Sequence, residues 1–188
     1  SPITVSEYQG AVLEQGAVMT SIGYVIGDRR GAVDALLAHV AAVLQAQGRA
    51  LAGVVQVNTE IEGTIRCDMD LRILGRDETV RISQRLGNAA RGCRLDPGGL
   101  ATAAGLVEHS LDGTSLLLVN KFGKSELDGG GFRPVIARAL GLGIPVLLGI
   151  NRDNLTGFLT YAGGMAQAID ADPDALLAWC GGPGGGNC

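Results

Sequence analysis

Four short apolar runs, at residues 22–26, 51–57, 116–119 and 146–150, most constrain what this chain can become. Each is too short for a buried helix and too continuous for a strand with one wet face. Runs of that kind are strands covered on both sides, as in a parallel sheet. Helical periods lie between them. Val33, Leu36, Leu37, Val40 and Leu44 recur at helical spacing, and Gly48 follows as a stop. Asp96-Pro97 is an N-cap followed by proline at the first helical position, opening a helix to about Ser110. Residues 131–140 form another helix, with Pro134 tolerated in its first turn. Residues 155–169 and 174–179 read as closing helical segments. One stretch breaks the pattern: residues 67–73 and 79–83 alternate around Gly75-Arg76-Asp77, an antiparallel hairpin. The expectation is a three-layer α/β domain over residues 19–180, with a mainly parallel sheet extended at one edge by that hairpin.

Residues 1–18 are expected to be a leader or disordered arm ahead of Met19-Thr20-Ser21, which reads as a start. The Gly-rich residues 181–188 are expected to be a flexible tail. Aromatic residues make up only 4%, so the core must be aliphatic. A net charge of −4 argues against nucleic acid as a partner. No apolar run approaches the ~20 residues of a membrane-spanning helix. Cys67, Cys93, Cys180 and Cys188 lack CxxC spacing, which suits free thiols in a cytoplasmic protein. A homo-oligomer is compatible with these features. His39 and His109 sit in helical runs without a ligand-spaced partner.

Positive charge is unevenly placed. Both lysines of the chain, Lys121 and Lys124, follow the third apolar run, in Asn120-Lys121-Phe122-Gly123-Lys124-Ser125-Glu126. Open α/β sheets build ligand sites at such strand ends. Seven arginines crowd residues 66–94 (Arg66, Arg72, Arg76, Arg81, Arg85, Arg91 and Arg94) against four acids. Guanidinium forks suit phosphate and other oxoanions, and Arg91-Gly92-Cys93-Arg94 is the tightest group, with Ser83 as a further donor. After the first strand comes Gly27-Asp28-Arg29-Arg30-Gly31-Ala32, a turn into a helix N-terminus that could receive an anion. A phosphate loop of the form GxxxxGK[ST] would supply a lysine and a hydroxyl, and this turn has neither. Asp28 would repel an anion unless Arg29 or Arg30 offset it.

These residues resemble two related families. The segment Asn120–Glu126 is similar to the second acidic motif of the thermophilic-type nucleoside-triphosphatases, small P-loop proteins of the RecA-like class. Gly123, Lys124 and Glu126 are kept. Asn120 stands where that motif has its metal-orienting acid, and Lys121 replaces the adjacent Glu. A second resemblance runs from about Ile22 to Cys180. It is to a bacterial family of unknown function encoded near molybdate-transport genes, with phrases such as Gly53-Val-Val-Gln56, Cys67-Asp-Met-Asp-Leu71, Gly131-Phe132 and Gly143-Ile-Pro-Val146. The resemblance implies a RecA-like P-loop fold and a theme of molybdenum or tungsten handling.

Three functions follow as alternatives. The first is a binding module with a degenerate P-loop, holding molybdate, tungstate or a nucleotide phosphate through Arg29, Arg30, the Arg66–Arg94 insert, Lys121 and Lys124. The second is a nucleoside-triphosphate hydrolase with an unusual site resting on Lys124 and Glu126. The third is a soft-metal or thiol site at Cys67 and Cys93. Without the loop lysine, the hydroxyl and an acid at Asn120, robust ATP or GTP hydrolysis is not expected.

Overall fold

The computed structural model describes residues 22–29, 31–60, 62–63, 67–84 and 94–181, without the side chains of Glu60 and Cys67. The arm at 1–18, Arg30, Arg66, Arg85, Arg91, Cys93, the tail beyond Gly181 and the Cys67 thiol lie outside the described residues.

All four apolar runs are strands of one sheet: β1 (Ile22–Gly27), β2 (Leu51–Glu60), β5 (Leu116–Phe122) and β6 (Val146–Asn151). The hairpin supplies β3 (Cys67–Ile73) and β4 (Glu78–Arg81), and a short β7 (Ala166–Ala168) completes seven strands among the described residues, in the order β4-β3-β2-β5-β6-β1-β7. The pairings β2–β5, β5–β6, β6–β1 and β1–β7 are parallel, and β2–β3 and β3–β4 are antiparallel.

Helix α1 (Ala32–Ala46) and the closing helix α6 (Pro173–Gly181) cover one face, where Leu37, Val40, Leu44 and Leu176 meet Val25, Leu118 and Leu147. Helices α2 (Pro97–His109), α4 (Arg133–Gly141) and α5 (Leu155–Ala162) cover the other, over Leu117, Val119, Val146 and Leu148. This is the expected three-layer arrangement. Asp96 caps α2 through the Gly98 amide at 3.0 Å, with Pro97 in the first turn.

The expected helix over 155–169 is a correction. It stops at Ala162, because Gly163 turns to φ 60°, and the chain then pairs Ala166–Ala168 with β1. The expected loop from Asn120 is shorter too: β5 continues to Phe122, and a one-turn helix α3 (Lys124–Leu127) follows.

Two connections decide where a ligand can sit. The chain leaving β1 crosses β6 and β5 on one face to reach β2. The chain leaving β5 turns the opposite way, over the other face, to β6. Loops that part in this way open a crevice at the C-terminal strand ends. Close approach between strands demands glycine at two positions of the sheet. A side chain at Gly149 on β6 would strike the Asn120 carbonyl and Val33, and one at Gly53, at φ 122°, would strike the Leu118 backbone of β5.

Candidate functional site

The crevice holds a cavity of about 710 Å³. Its polar side is built from the β1 turn (Gly27, Asp28, Arg29, Gly31), the first turn of α1 (Asp34), and the end of β5 with the start of α3 (Asn120, Lys121, Lys124). The end of β5 is firmly anchored. Phe122 is fully buried, with its ring 5.2 Å from those of Phe158 and Tyr161. Lys121, at the point where the β5–β6 register shifts, is exposed and lines the cavity.

A relay of amides organises the floor. Asn120, 5% exposed, donates from Nδ2 to Asp34 Oδ1 at 3.0 Å and to Gln56 Oε1 at 2.9 Å. Gln56 Nε2 donates in turn to Asn58 Oδ1 at 2.8 Å. An ionised carboxylate can only accept, so Asp34 fixes the direction of the whole chain. Burial pushes the Asp34 carboxyl above its ordinary range, while the Asn120 hydrogen bond and the charge of Lys121 pull it back.

Glu126 is 4% exposed, with Oε1 accepting the Gly123 amide at 2.8 Å and Oε2 the Phe132 amide at 3.1 Å. Burial raises its pKa, opposed by those amides and by Lys121. Its carboxylate therefore fastens the loop that carries both lysines. Asp28, exposed by comparison, is paired with Arg152 at 2.7 Å.

The charge balance follows. Among the described residues, all three acids lining the cavity are engaged by donors, whereas Arg29, Lys121 and Lys124 have no carboxylate within 4.0 Å. The structure thus brings together Gly27, Asp28, Arg29, Gly31, Asn120, Lys121, Lys124 and Glu126.

Other expected site residues fall elsewhere. Ala32 does not line the cavity, and its amide is spent on the Arg29 carbonyl at 3.2 Å. The Ser83 hydroxyl is buried and accepts the Met69 amide at 3.1 Å, tying the hairpin together outside the cavity. Arg94 is exposed and away from the lining. Arg76 and Arg81 of the insert pair with Glu78 and Asp70. Cys180 is buried, and burial lifts its thiol to about 11, which leaves it unreactive near neutrality. No cluster of three metal-ligating side chains occurs among the described residues. Asp34, Gln56 and Arg152 are site residues that sequence reasoning missed. The available signals were an acid in the first helical turn after the glycine-bounded loop and a lone polar residue in an apolar strand.

A protein-family model matches residues 22–179. The chain belongs to the DUF2478 family of proteins of unknown function. It is also 31% identical over 148 residues to the molybdenum import ATP-binding protein ModC 2 of Bradyrhizobium diazoefficiens, a match that covers 78% of this chain and 16% of that protein. The chain thus spans a small part of the length of this curated relative. Among solved structures it is similar to THEP1 of the hyperthermophile Aquifex aeolicus, with a TM-score of 0.58 and 13% identity over 83% of this chain and 94% of that one. That likeness establishes a shared fold. No helix among the described residues is long and apolar enough to cross a membrane.

Proposed function

We propose that this protein binds a small oxoanion or the phosphate of a nucleotide in the crevice above β6, through a degenerate P-loop, in a pathway that handles molybdenum or tungsten. The observation that carries the reading is the set of cavity cations, Arg29, Lys121 and Lys124, beside acids already engaged by other donors. In an acidic protein only such a local surplus draws an anion. The molybdenum theme rests on the name of the curated relative, with which this chain shares one stretch. Isothermal titration with molybdate, tungstate, sulfate, phosphate, ATP and GTP tests it. At least one should bind below millimolar concentration, and Lys121→Ala should weaken that binding about tenfold, since a hydrogen bond to a charged group contributes roughly 1.5–3 kcal/mol. No binding, or no effect of the substitution, would refute the reading.

A second reading, hydrolysis of a nucleoside triphosphate, draws on Asp34. It is a cavity-lining acid held by a side-chain amide, with burial favouring its protonated form. Glu126 is the weaker base, because both its oxygens accept backbone amides. Turnover lost in Asp34→Asn but kept in Glu126→Gln would favour this alternative.

A further inference from the structure

The cavity is larger than its charged end requires. A tetrahedral oxoanion displaces only a few waters of roughly 30 Å³ each, whereas 710 Å³ is the size of a pocket for a small organic molecule. Most of the remaining apolar lining lies on one side, with Val33 and Ile150 on the other. Half-buried Met69 of β3 and exposed Leu95 beyond the hairpin offer its apolar surface, backed by the core side chains Leu71, Ile82, Leu100 of α2 and Phe132. The paired ions Asp28 and Arg152 stand on the far side, beside β1 and β6. Leu95 is 38% exposed, one of few large apolar side chains on the described surface. The boundary between the halves is the amide relay Asn120–Gln56–Asn58.

From this we infer that the ligand is a phosphate ester with an apolar body. Its phosphate lies against Arg29, Lys121 and Lys124, and its body occupies the hairpin side between β3 and α2. The inference rests on the proposed anion site and names its ligand class. A bare oxoanion would leave Met69 and Leu95 wet, and an apolar ligand without an anionic end would leave the cations unanswered. Only a molecule with both ends matches both surfaces.

Phenyl phosphate and methyl phosphate carry the same anionic group and differ in the body, so their comparison isolates the apolar wall. Wild-type protein should bind phenyl phosphate at least tenfold more tightly than methyl phosphate. Leu95→Asp, a change at a rim position, should shrink that ratio below about threefold, with methyl phosphate affected little. Leu95→Asn serves as a second variant should the charge perturb folding, which far-UV circular dichroism would reveal. Equal affinities in wild type, or a ratio unmoved in both variants, would overturn the inference while the anion site stands. Absence of binding by methyl phosphate, phenyl phosphate, molybdate and ATP alike would remove the anion site and the inference with it.

Discussion

Asn120→Asp restores the acid that the resembling nucleoside-triphosphatase motif carries, and it should harm this protein. Asn120 Nδ2 donates to both Asp34 and Gln56, at 3.0 and 2.9 Å. A carboxylate donates to neither, and it brings a second negative charge against Asp34 in a largely buried position. The bond to charged Asp34 is worth about 1.5–3 kcal/mol and that to neutral Gln56 about 0.5–1.5 kcal/mol. Two adjacent carboxylates escape repulsion by sharing one proton, which recovers part of the loss at low pH. The variant should lose about 3 kcal/mol at pH 8 and about 1 kcal/mol at pH 5, following the lost Gln56 bond. At 188 residues the larger value corresponds to a Tm drop of roughly 6–12 °C. Urea unfolding at both pH values, followed by circular dichroism, measures it. Equal stability at pH 8, or a penalty that grows on acidification, would show that the relay does not hold the end of β5.

Gly131→Ala should cost about 2–4 kcal/mol in thermal or urea unfolding, because φ is 55° and the new methyl group would displace the Glu126 carboxylate from the Phe132 amide. A loss under 1 kcal/mol would mean the Glu126 clasp is slack. Asp34 has a folded pKa raised above 3.8, so its native form holds the proton more firmly than the unfolded chain. Its contribution to stability therefore falls as pH rises through the window above 3.8, and Asp34→Asn should gain on wild type between pH 3.5 and 7. The reverse trend would contradict burial as the dominant influence. ATP and GTP hydrolysis should stay well below about 1 s⁻¹, the lower end of kinase turnover, since Ala32 and Val33 supply neither cation nor hydroxyl. Faster turnover that vanished in Lys124→Ala would overturn this.

The parallel core was legible because apolar runs buried on both faces carry their own signature, and Asp96-Pro97 marks a helix start locally. Strand β7 was not: Ala-Gln-Ala has no strand character, and its pairing with Ile22–Tyr24 is decided some 140 residues away. The lysines were found by position. Their setting was hidden, since Asn120 meets Asp34 across 86 residues and Asp28 meets Arg152 across 124. Glu126 was singled out by its place in the segment after the third apolar run. Its role depends on two amides that only the fold of α3 and the turn before α4 bring to it.

The central claim is that the free cations above β6 form an anion site, and tungstate locates such a site by its own scattering. Crystals soaked at low millimolar tungstate should show one dominant anomalous peak in the crevice, within contact of Lys121 and Arg29, lost on competition with phosphate and clearly weakened in Lys121→Ala. A crevice without a peak, or a peak indifferent to Lys121, would contradict the account.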